Sequence, residues 1–260
     1  MKLISSRDNP FFKELLKLSS SAKSRREENL TLLDGAHLLA AYLDSGQLPQ
    51  HIFLSTAARH DAEISALLAR LEAVLVTQLD EKLFAELSEL KTPTGILALI
   101  PTCAPAALTA HFALLLEDLQ DPGNLGSIVR SAAAAGCDAV YLSKGCADAW
   151  SPKVLRAAMG GHFVVRIYQQ QNLLDVAQQF SGQLFATSLQ ATRSLYQCAL
   201  QGDIAFMVGN EGAGLSDALL ASATHKITIP MPGRVESLNA AAASAICLFE
   251  AVRQRVSVPS

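Results

Sequence analysis

The run Phe112–Leu116 (FALLL) constrains the fold more than any other part of the sequence. Five consecutive apolar residues are typical of a strand that is buried on both faces, as in a parallel sheet covered by helices. Strand-like and helix-like segments alternate along the chain before and after this run. We therefore predict an α/β protein with a mostly parallel sheet around Phe112–Leu116.

The alternation also predicts where the individual elements lie. The predicted strands are His51–Ser55, Val74–Val76, Gly95–Ile100, Phe112–Leu116, Ala139–Leu142, Val164–Ile167, Leu184–Thr187, Ile204–Val208 and Lys226–Ile229. The predicted helices are Phe11–Leu18, Ala36–Leu43, Asp61–Leu71, Glu81–Leu90, Ser127–Ala135, Pro152–Met159, Leu173–Phe180 and a last helix from about Ser237 to Arg253. Short apolar runs between turn residues indicate the strands, and apolar spacing along one face indicates the helices.

Pro101–Pro105 (PTCAP) is the best linker in the sequence, because its prolines end the preceding strand pattern before the next one begins. We place a domain border there. The border separates a small α/β domain, residues 30–102, from a larger α/β domain, residues 106–260. Residues 1–29 precede both domains and are predicted to form a basic helix followed by a polar connector over Ser19–Asn29.

The leading segment, residues 1–29, is locally basic although the whole chain is not. It contains seven Lys and Arg residues against four Asp and Glu residues, whereas the chain has a formal net charge of −3. The net charge excludes a generally cationic nucleic-acid-binding protein but leaves a local RNA-binding patch open. Lys23, Arg25 and Arg26 are the candidates for such a patch. The alternative is a solvated helix and a flexible linker.

Composition narrows the remaining classes. Half of the residues are hydrophobic and 17% are charged, which supplies a large core. The cysteines are scattered without a C-x-x-C pair: Cys103, Cys137, Cys146, Cys198 and Cys247. This spacing argues against a zinc site and against a disulfide framework, so we predict no metal and a reducing compartment. No signal peptide or bilayer-length apolar segment is evident, so we expect a soluble, cytoplasmic protein.

The first cluster of chemistry-bearing residues is Asp121–Arg130 (DPGNLGSIVR), which follows the strand Phe112–Leu116. Its glycines allow a tight turn, and we expect Arg130 in the first or second turn of the following helix. There the guanidinium would lie near the amide of Asn124. An amide and a guanidinium together suit a phosphate or the edge of a sugar. The alternative is an ordinary turn with a surface arginine.

The second cluster is Gly209–Leu215 (GNEGAGL), directly after the strand Ile204–Val208. Its glycines indicate a close backbone approach or left-handed backbone. The order G-x-x-G-x-G differs from the dinucleotide fingerprint, and no phosphate-binding G-K-[ST] follows. Because Glu211 would repel a pyrophosphate, a cationic sulfonium cofactor suits this loop better. The alternative is a plain turn.

The third cluster is Ile229–Asn239 (IPMPGRVESLN), which leads into the last predicted helix. Ser237 is a good helix N-cap, which is its simplest structural role. The residues after it, 240–249, are apolar on nearly every side, and such a helix is buried in a core or in a subunit interface.

The three motifs together resemble the SpoU (TrmH) family of RNA ribose methyltransferases. They are N-x-G-x-x-x-R-S-A, G-N-E-G-x-G-L and I-P-M-x-G-x-x-x-S-L-N, and they occur in this order over roughly residues 110–255. Each motif alone is weak, but three in order at strand ends are specific. Residues 30–102, including Asp34–His37, resemble more loosely the L30e-like substrate-binding domains attached to many members of the family.

The resemblance implies a function and a fold. The activity would be methyl transfer from S-adenosylmethionine to a ribose 2′-hydroxyl of rRNA or tRNA, with rRNA favoured. The second domain would be threaded as a trefoil knot and would form the homodimer. Arg130, Asn124, Glu211, Ser237 and Asn239 would surround the reaction centre. The cofactor would be held by Thr187, Ser188, Leu189, Gly209, Asn210, Gly214, Ile229 and Leu238.

Two other functions remain open from the sequence. A catalytically silent RNA-binding or ribosome-assembly factor could use the same fold, although the motif residues are intact. A nicotinamide-dependent dehydrogenase conflicts with the glycine order of residues 209–214. The proton acceptor is also open. Because arginine is a very poor base, we expect Arg130 to clamp a phosphate and stabilise alkoxide charge, while phosphate or water takes the proton.

Overall fold

The protein is described from a computed structural model that covers residues 2–90, 92–102 and 105–256. The chain divides into two compact units: residues 1–103 with 150–163, and residues 104–149 with 164–260. Cys103 and its neighbour in the predicted linker Pro101–Pro105 lie outside the described residues. The sequence gives no sign that residues 150–163 group with the first unit, and the domain borders stay predictions.

The strands and helices alternate as follows. The strands are β1 Lys2–Ile4, β2 Leu30–Asp34, β3 His51–Ser55, β4 Leu75–Leu79, β5 Ile96–Pro101, β6 Phe112–Leu116, β7 Ala139–Ser143, β8 Arg166–Gln171, β9 Gln183–Thr187, β10 Ile204–Val208 and β11 His225–Ile227. The helices are α1 Pro10–Ser20, α2 Ala22–Glu28, α3 Ala36–Asp44, α4 Ala62–Ala69, α5 Glu81–Leu87, α6 Pro122–Ala134, α7 Pro152–Ala158, α8 Leu173–Gln179, α9 Asp217–Ser222 and α10 Ala240–Val256. Short 3₁₀ turns occur at Ala57–His60, Gly161–Phe163 and Leu195–Gln197.

The first unit is built on a mixed sheet with the strand order β1-β4-β3-β5-β2. Strand β5 runs antiparallel to β2 and β3, and the other pairs are parallel. Helix α7 belongs to this unit because Leu155 is buried in its core and because the Thr31 hydroxyl donates to the Trp150 carbonyl at 2.8 Å. The unit therefore needs a segment from the middle of the chain to complete its packing.

The prediction of a connector over Ser19–Asn29 is wrong, because α2 occupies most of it. The Ser21 side chain caps the helix by accepting from the Ser24 backbone N–H at 3.2 Å, and Asn29 ends it in the left-handed region. Arg25 is buried and donates to the carbonyls of Leu18 and Ser19 at the end of α1. The guanidinium thus holds two helices together and is withdrawn from any RNA-binding surface.

The second unit is built on a parallel sheet with the strand order β11-β9-β10-β6-β7-β8. Strand β6 lies inside the sheet, and all five of its residues are buried, as their composition predicts. The expected α/β class with a mostly parallel sheet is therefore confirmed. Since the strands are parallel, the loops that follow their carboxyl ends meet along one edge, where ligands bind in open α/β sheets.

Within the described part of the chain, no helix is long and apolar enough to cross a membrane. A search of the same residues finds no group of three or more His, Cys, Asp or Glu side chains that could hold a metal ion.

Candidate functional site

The start of α6 places the first cluster at the carboxyl edge of the sheet. The Asp121 side chain caps the helix by accepting from the Asn124 backbone N–H at 2.7 Å, and Pro122 is the first helical residue. The predicted helix start at Ser127 is therefore wrong. Asp-Pro-Gly is a common turn sequence, but a capping aspartate followed by proline equally favours a helix start.

This earlier start changes the position of Arg130, which lies in the third helical turn and not in the first or second. Asn124 lies in the first turn, about 9 Å away along the helix axis. Arg130 is exposed, and it has no hydrogen bond or ion pair with any residue that the structure describes. The single chain therefore does not bring Arg130 together with Asn124.

Three predicted residues do meet, through their side chains. The Asn124 amide N–H donates to Glu211 Oε1 at 3.1 Å, and the Asn239 amide N–H donates to Asn124 Oδ1 at 2.8 Å. Asn239 Oδ1 in turn accepts from the backbone N–H groups of Ala241 and Ala242 at 2.9 and 3.2 Å. Each bond fixes the orientation of the next amide, so the Asn239–Asn124–Glu211 chain is a defined network of donors that ends at a carboxylate.

The electrostatic environment keeps Glu211 ionised at neutral pH. Partial desolvation acts to raise its pKa, but hydrogen bonds from the Asn124 side chain and from nearby backbone N–H groups outweigh this effect and lower the pKa below its usual value. One of these donors is the Gln120 N–H, 3.5 Å from Glu211 Oε2. The site therefore offers a fixed negative charge beside two oriented amides.

The second cluster folds into a narrow loop. Asn210 and Gly214 exchange two backbone hydrogen bonds, at 3.0 and 2.9 Å. The Asn210 side chain accepts from the N–H groups of Gly212 and Ala213 and donates to the Asp118 carbonyl at 2.8 Å. At Gly209 a Cβ would collide with the backbone of Gly214 and the next residue, so glycine is required there. Asn210 is thus mainly a residue that shapes the loop.

The loops after β9 and β11 lie side by side. The Ser188 backbone N–H donates to the Ile227 carbonyl at 2.9 Å, and the Thr187 hydroxyl donates to the Met207 carbonyl at 3.1 Å. Leu189, the next residue, exposes 64% of its surface. The predicted cofactor residues Thr187–Leu189 therefore border the exit of β10, where Gly209 begins the glycine loop.

The third cluster approaches the same network through its last residue. Asn239, and not Ser237, caps α10, so the helix begins at Ala240 and the prediction of a start at Ser237 is wrong. Both residue types are good caps, and sequence preference alone cannot choose between them. Ser237 is exposed and forms no hydrogen bond within residues 105–256, while Ile229 and Leu238 are half-buried.

Sequence reasoning missed two acidic residues that organise the site. Glu117 and Asp118 directly follow β6. The Glu117 carboxylate accepts from the Ser216 N–H at 2.7 Å, and Asp118 contacts both Ser143 and Asn210. Two acidic residues immediately after a fully buried strand were the available signal.

Taken together, the edge suits a cation and a polyhydroxyl substrate. Glu211 provides the negative charge. Each side-chain amide has two N–H donors, and Asn124 and Asn239 use one each within the described residues. The remaining donors could hold a sugar hydroxyl.

Family comparison places these loops in a known context. A family model described as "SpoU rRNA Methylase family" matches residues 111–249, and a model described as "MRM3-like substrate binding domain" matches residues 9–98. One relative is an uncharacterised tRNA/rRNA methyltransferase of Synechocystis, 34% identical over 97% of this chain and 94% of its own length. Another is the 23S rRNA (guanosine(2553)-2′-O)-methyltransferase RlmP of Bacillus subtilis, 33% identical over 96% and 98%.

Solved structures agree with the sequence relatives. The chain is similar to an RNA 2′-O ribose methyltransferase with a TM-score of 0.82 and 31% identity, covering 98% of this chain and 99% of that one. It is also similar to the AdoMet-bound rRNA methyltransferase of Sinorhizobium meliloti, with a TM-score of 0.84, 26% identity and 97% coverage of both chains.

Proposed function

Because the chain belongs to the SpoU rRNA methylase family, we propose that it transfers a methyl group from S-adenosylmethionine to a ribose 2′-hydroxyl of ribosomal RNA. The observation that carries this proposal is the Asn239–Asn124–Glu211 network at the strand exits, within the matched residues 111–249. The ribose target and the choice of rRNA are supported by the relatives RlmP and the RNA 2′-O ribose methyltransferase. We likewise propose a cytoplasmic location, which the bacterial relative RlmP supports.

The glycine loop fits S-adenosylmethionine, the cofactor of two similar solved structures. When bound, this cofactor supplies a methyl group on a positively charged sulfur. The narrow loop from Gly209 to Gly214 would hold it through backbone groups, and ionised Glu211 suits its positive charge. Thr187–Leu189, Ile229 and Leu238 would complete the cofactor contacts. Asn210 would contribute through the shape of the loop, since its own side chain is engaged there.

The polar residues would act on the ribose. Asn124 and Asn239 orient the sugar hydroxyls, and Glu211 accepts a hydrogen bond from one of them. Arg130, with its unpaired guanidinium, would grip a substrate phosphate, which is compatible with its distance of about 9 Å along α6 from the Asn124 that orients the ribose. Ser237 offers an exposed hydroxyl beside Leu238. The departing proton passes to phosphate or water, because a guanidinium holds its proton too tightly to act as a base.

Transfer of labelled methyl groups tests the proposal. Purified full-length protein, labelled S-adenosylmethionine and unmodified rRNA should yield a 2′-O-methylated nucleoside after complete digestion and mass spectrometry. The Glu211→Gln variant is the control, since it keeps the shape of the side chain and loses its charge. Binding of cofactor and RNA without transfer by the wild type would support the silent assembly factor. Methylation on a base would contradict the ribose assignment.

We also propose a homodimer formed by the second unit, through α10. Ala242, Phe249 and Val256 recur every seven residues on this helix and are all exposed, Phe249 by 47% and Val256 by 78%. Such a spacing places them on one stripe, which a second copy would cover. Phe249→Asp should convert the protein to a monomer in light scattering, whereas Gly202→Ala, where the added methyl group meets nothing within 4 Å, should not. A Phe249→Asp variant that stays dimeric would exclude this face.

The trefoil knot that the resemblance implies is likewise a proposal. When the knot lies in the carboxy-terminal part of a chain, the carboxyl terminus must pass through a loop before folding is complete. A stable protein fused to that terminus should therefore slow refolding from urea much more than the same protein fused to the amino terminus. Equal slowing by both fusions would contradict a knot in residues 106–260.

A further inference from the structure

Asp118 connects three strand exits although it belongs to none of the sequence motifs. Its backbone N–H donates to Ser143 Oγ at 2.9 Å, and the same hydroxyl donates to Asp118 Oδ1 at 2.5 Å. Its carbonyl accepts from the Asn210 amide at 2.8 Å. The residue that follows β6 by two positions is thus fixed to the ends of β7 and β10, the two strands that flank β6.

The backbone of Asp118 explains why so many bonds are needed. Its φ of +52° lies in the left-handed region, which a residue with a Cβ seldom adopts. Gly145 provides the space for its carboxylate, because a Cβ at that position would collide with the Asp118 side chain. Three hydrogen bonds and a matched glycine therefore maintain one unfavourable backbone conformation.

This conformation directs the segment that enters the candidate site. Two residues after Asp118, the Gln120 N–H points to Glu211 Oε2, and the next residue, Asp121, caps α6 through the N–H of Asn124. If Asp118 relaxed to ordinary backbone, the path to Asn124 would change. The Asn124–Glu211 hydrogen bond depends on that path.

We propose that Asp118 is a positioning residue for methyl transfer that aligns Asn124 with Glu211. The Ser143 hydroxyl holds Asp118 in place, and the Asp118 carboxylate packs against Gly145. Asp118 acts through Asn124 and Glu211 and does not touch the substrate. The inference rests on the proposed function, which it deepens by assigning a role outside the family motifs.

Variants at Ser143 and Gly145 test the two halves of this arrangement. Ser143→Ala removes the hydroxyl, and Ser143→Thr retains it. Gly145→Ala displaces the carboxylate without a backbone penalty at position 145, because no left-handed φ is required there. Gly202→Ala is the matched control, since a Cβ there meets nothing within 4 Å.

We expect kcat to fall about tenfold in Ser143→Ala and in Gly145→Ala, the rate equivalent of one hydrogen bond. The dissociation constant for S-adenosylmethionine should stay within twofold of the wild type. Ser143→Thr should restore kcat, and Gly202→Ala should leave it unchanged. Thermal unfolding of each variant separates misalignment from loss of fold.

A second measurement does not depend on catalysis. If Asn124 and Gln120 move away from Glu211, the carboxylate loses hydrogen-bond donors and its pKa should rise in Ser143→Ala and return in Ser143→Thr. An NMR titration of isotope-labelled Glu side chains, assigned with Glu211→Gln, measures this directly. An unchanged Glu211 titration in Ser143→Ala would overturn the inference. An inactive wild type that still shows the shift would overturn the proposed function alone.

Discussion

Asn239 performs two tasks that one substitution can separate. Its Oδ1 caps α10, and its amide N–H orients Asn124. Asn239→Asp retains the capping oxygen and loses the donor. An oxygen would then face Asn124 Oδ1, so the Asn124 amide should turn over and present its own oxygen to Glu211. We expect the network to break while the helix start remains intact.

The magnitudes follow from the bonds involved. A hydrogen bond to a charged group contributes about 1.5–3 kcal/mol, so kcat/KM of Asn239→Asp should fall by about ten- to a hundredfold. Its free energy of unfolding should not fall, because a carboxylate at a helix start is favourable by about 0.3–1 kcal/mol. Asn239→Ala should lose similar activity and, with the cap removed, about 1 kcal/mol of stability as well.

Single-turnover methylation and thermal unfolding of the same preparations provide the test. For a chain of this size, 1 kcal/mol lowers Tm by roughly 2–4 °C. Wild-type activity in Asn239→Asp would refute the network as an aligning device. An Asn239→Ala protein that unfolds at the same temperature as the wild type would refute the capping role.

Three further predictions concern charged residues. Arg130→Ala should reduce the rate of single-turnover methylation by a factor on the order of 10²–10³, with cofactor binding retained. Arg130→Lys should restore little of that rate, because lysine lacks the planar two-pronged grip of arginine. Near-normal rates in Arg130→Ala would remove this residue from the mechanism. The double variant Lys23→Ala with Arg26→Ala should weaken RNA binding and flatten its salt dependence. Arg25→Ala should instead lower the free energy of unfolding by about 1–3 kcal/mol. The reverse pattern in binding and melting assays would contradict both assignments. Because the pKa of Glu211 is below its usual 4.5, its charged form stabilises the fold at pH values above 4.5, and both this stabilisation and activity should be lost as the pH falls through the lowered pKa. The melting temperatures of the wild type and of Glu211→Gln should therefore converge in acid. A difference between them that stays constant with pH would count against this.

Local pattern predicted the second unit well because its strands are short, apolar and separated by clear turns. The run Ile204–Val208 has the same bounds in the sequence prediction and in the structure, and so does Phe112–Leu116. Strands β1 and β2 were missed. β1 has only three residues, and it pairs with β4, more than seventy residues away. A pairing over that distance leaves no local pattern.

The candidate site was predictable to the extent that its motifs are contiguous. Asn124, Glu211 and Asn239 each occur in a recognisable motif, and the structure joins them. Asp118 and Ser143 could not be predicted, because their contact joins residues that are distant in sequence and depends on a left-handed backbone. Sequence periodicity describes one element at a time, and contacts between loops are set by the order of strands in the sheet.

Because residues 150–163 group with the first unit, this protein cannot be divided into two fragments at a single point in the chain. A gene fragment that begins after the linker Pro101–Pro105 would still encode Trp150 and Leu155, but not the strand and core that cover them. Such a fragment would expose apolar surface and be prone to aggregation. Chimeras with relatives should therefore exchange the first unit and residues 150–163 together, since a crossover at residue 103 alone would separate Leu155 from the core in which it is buried.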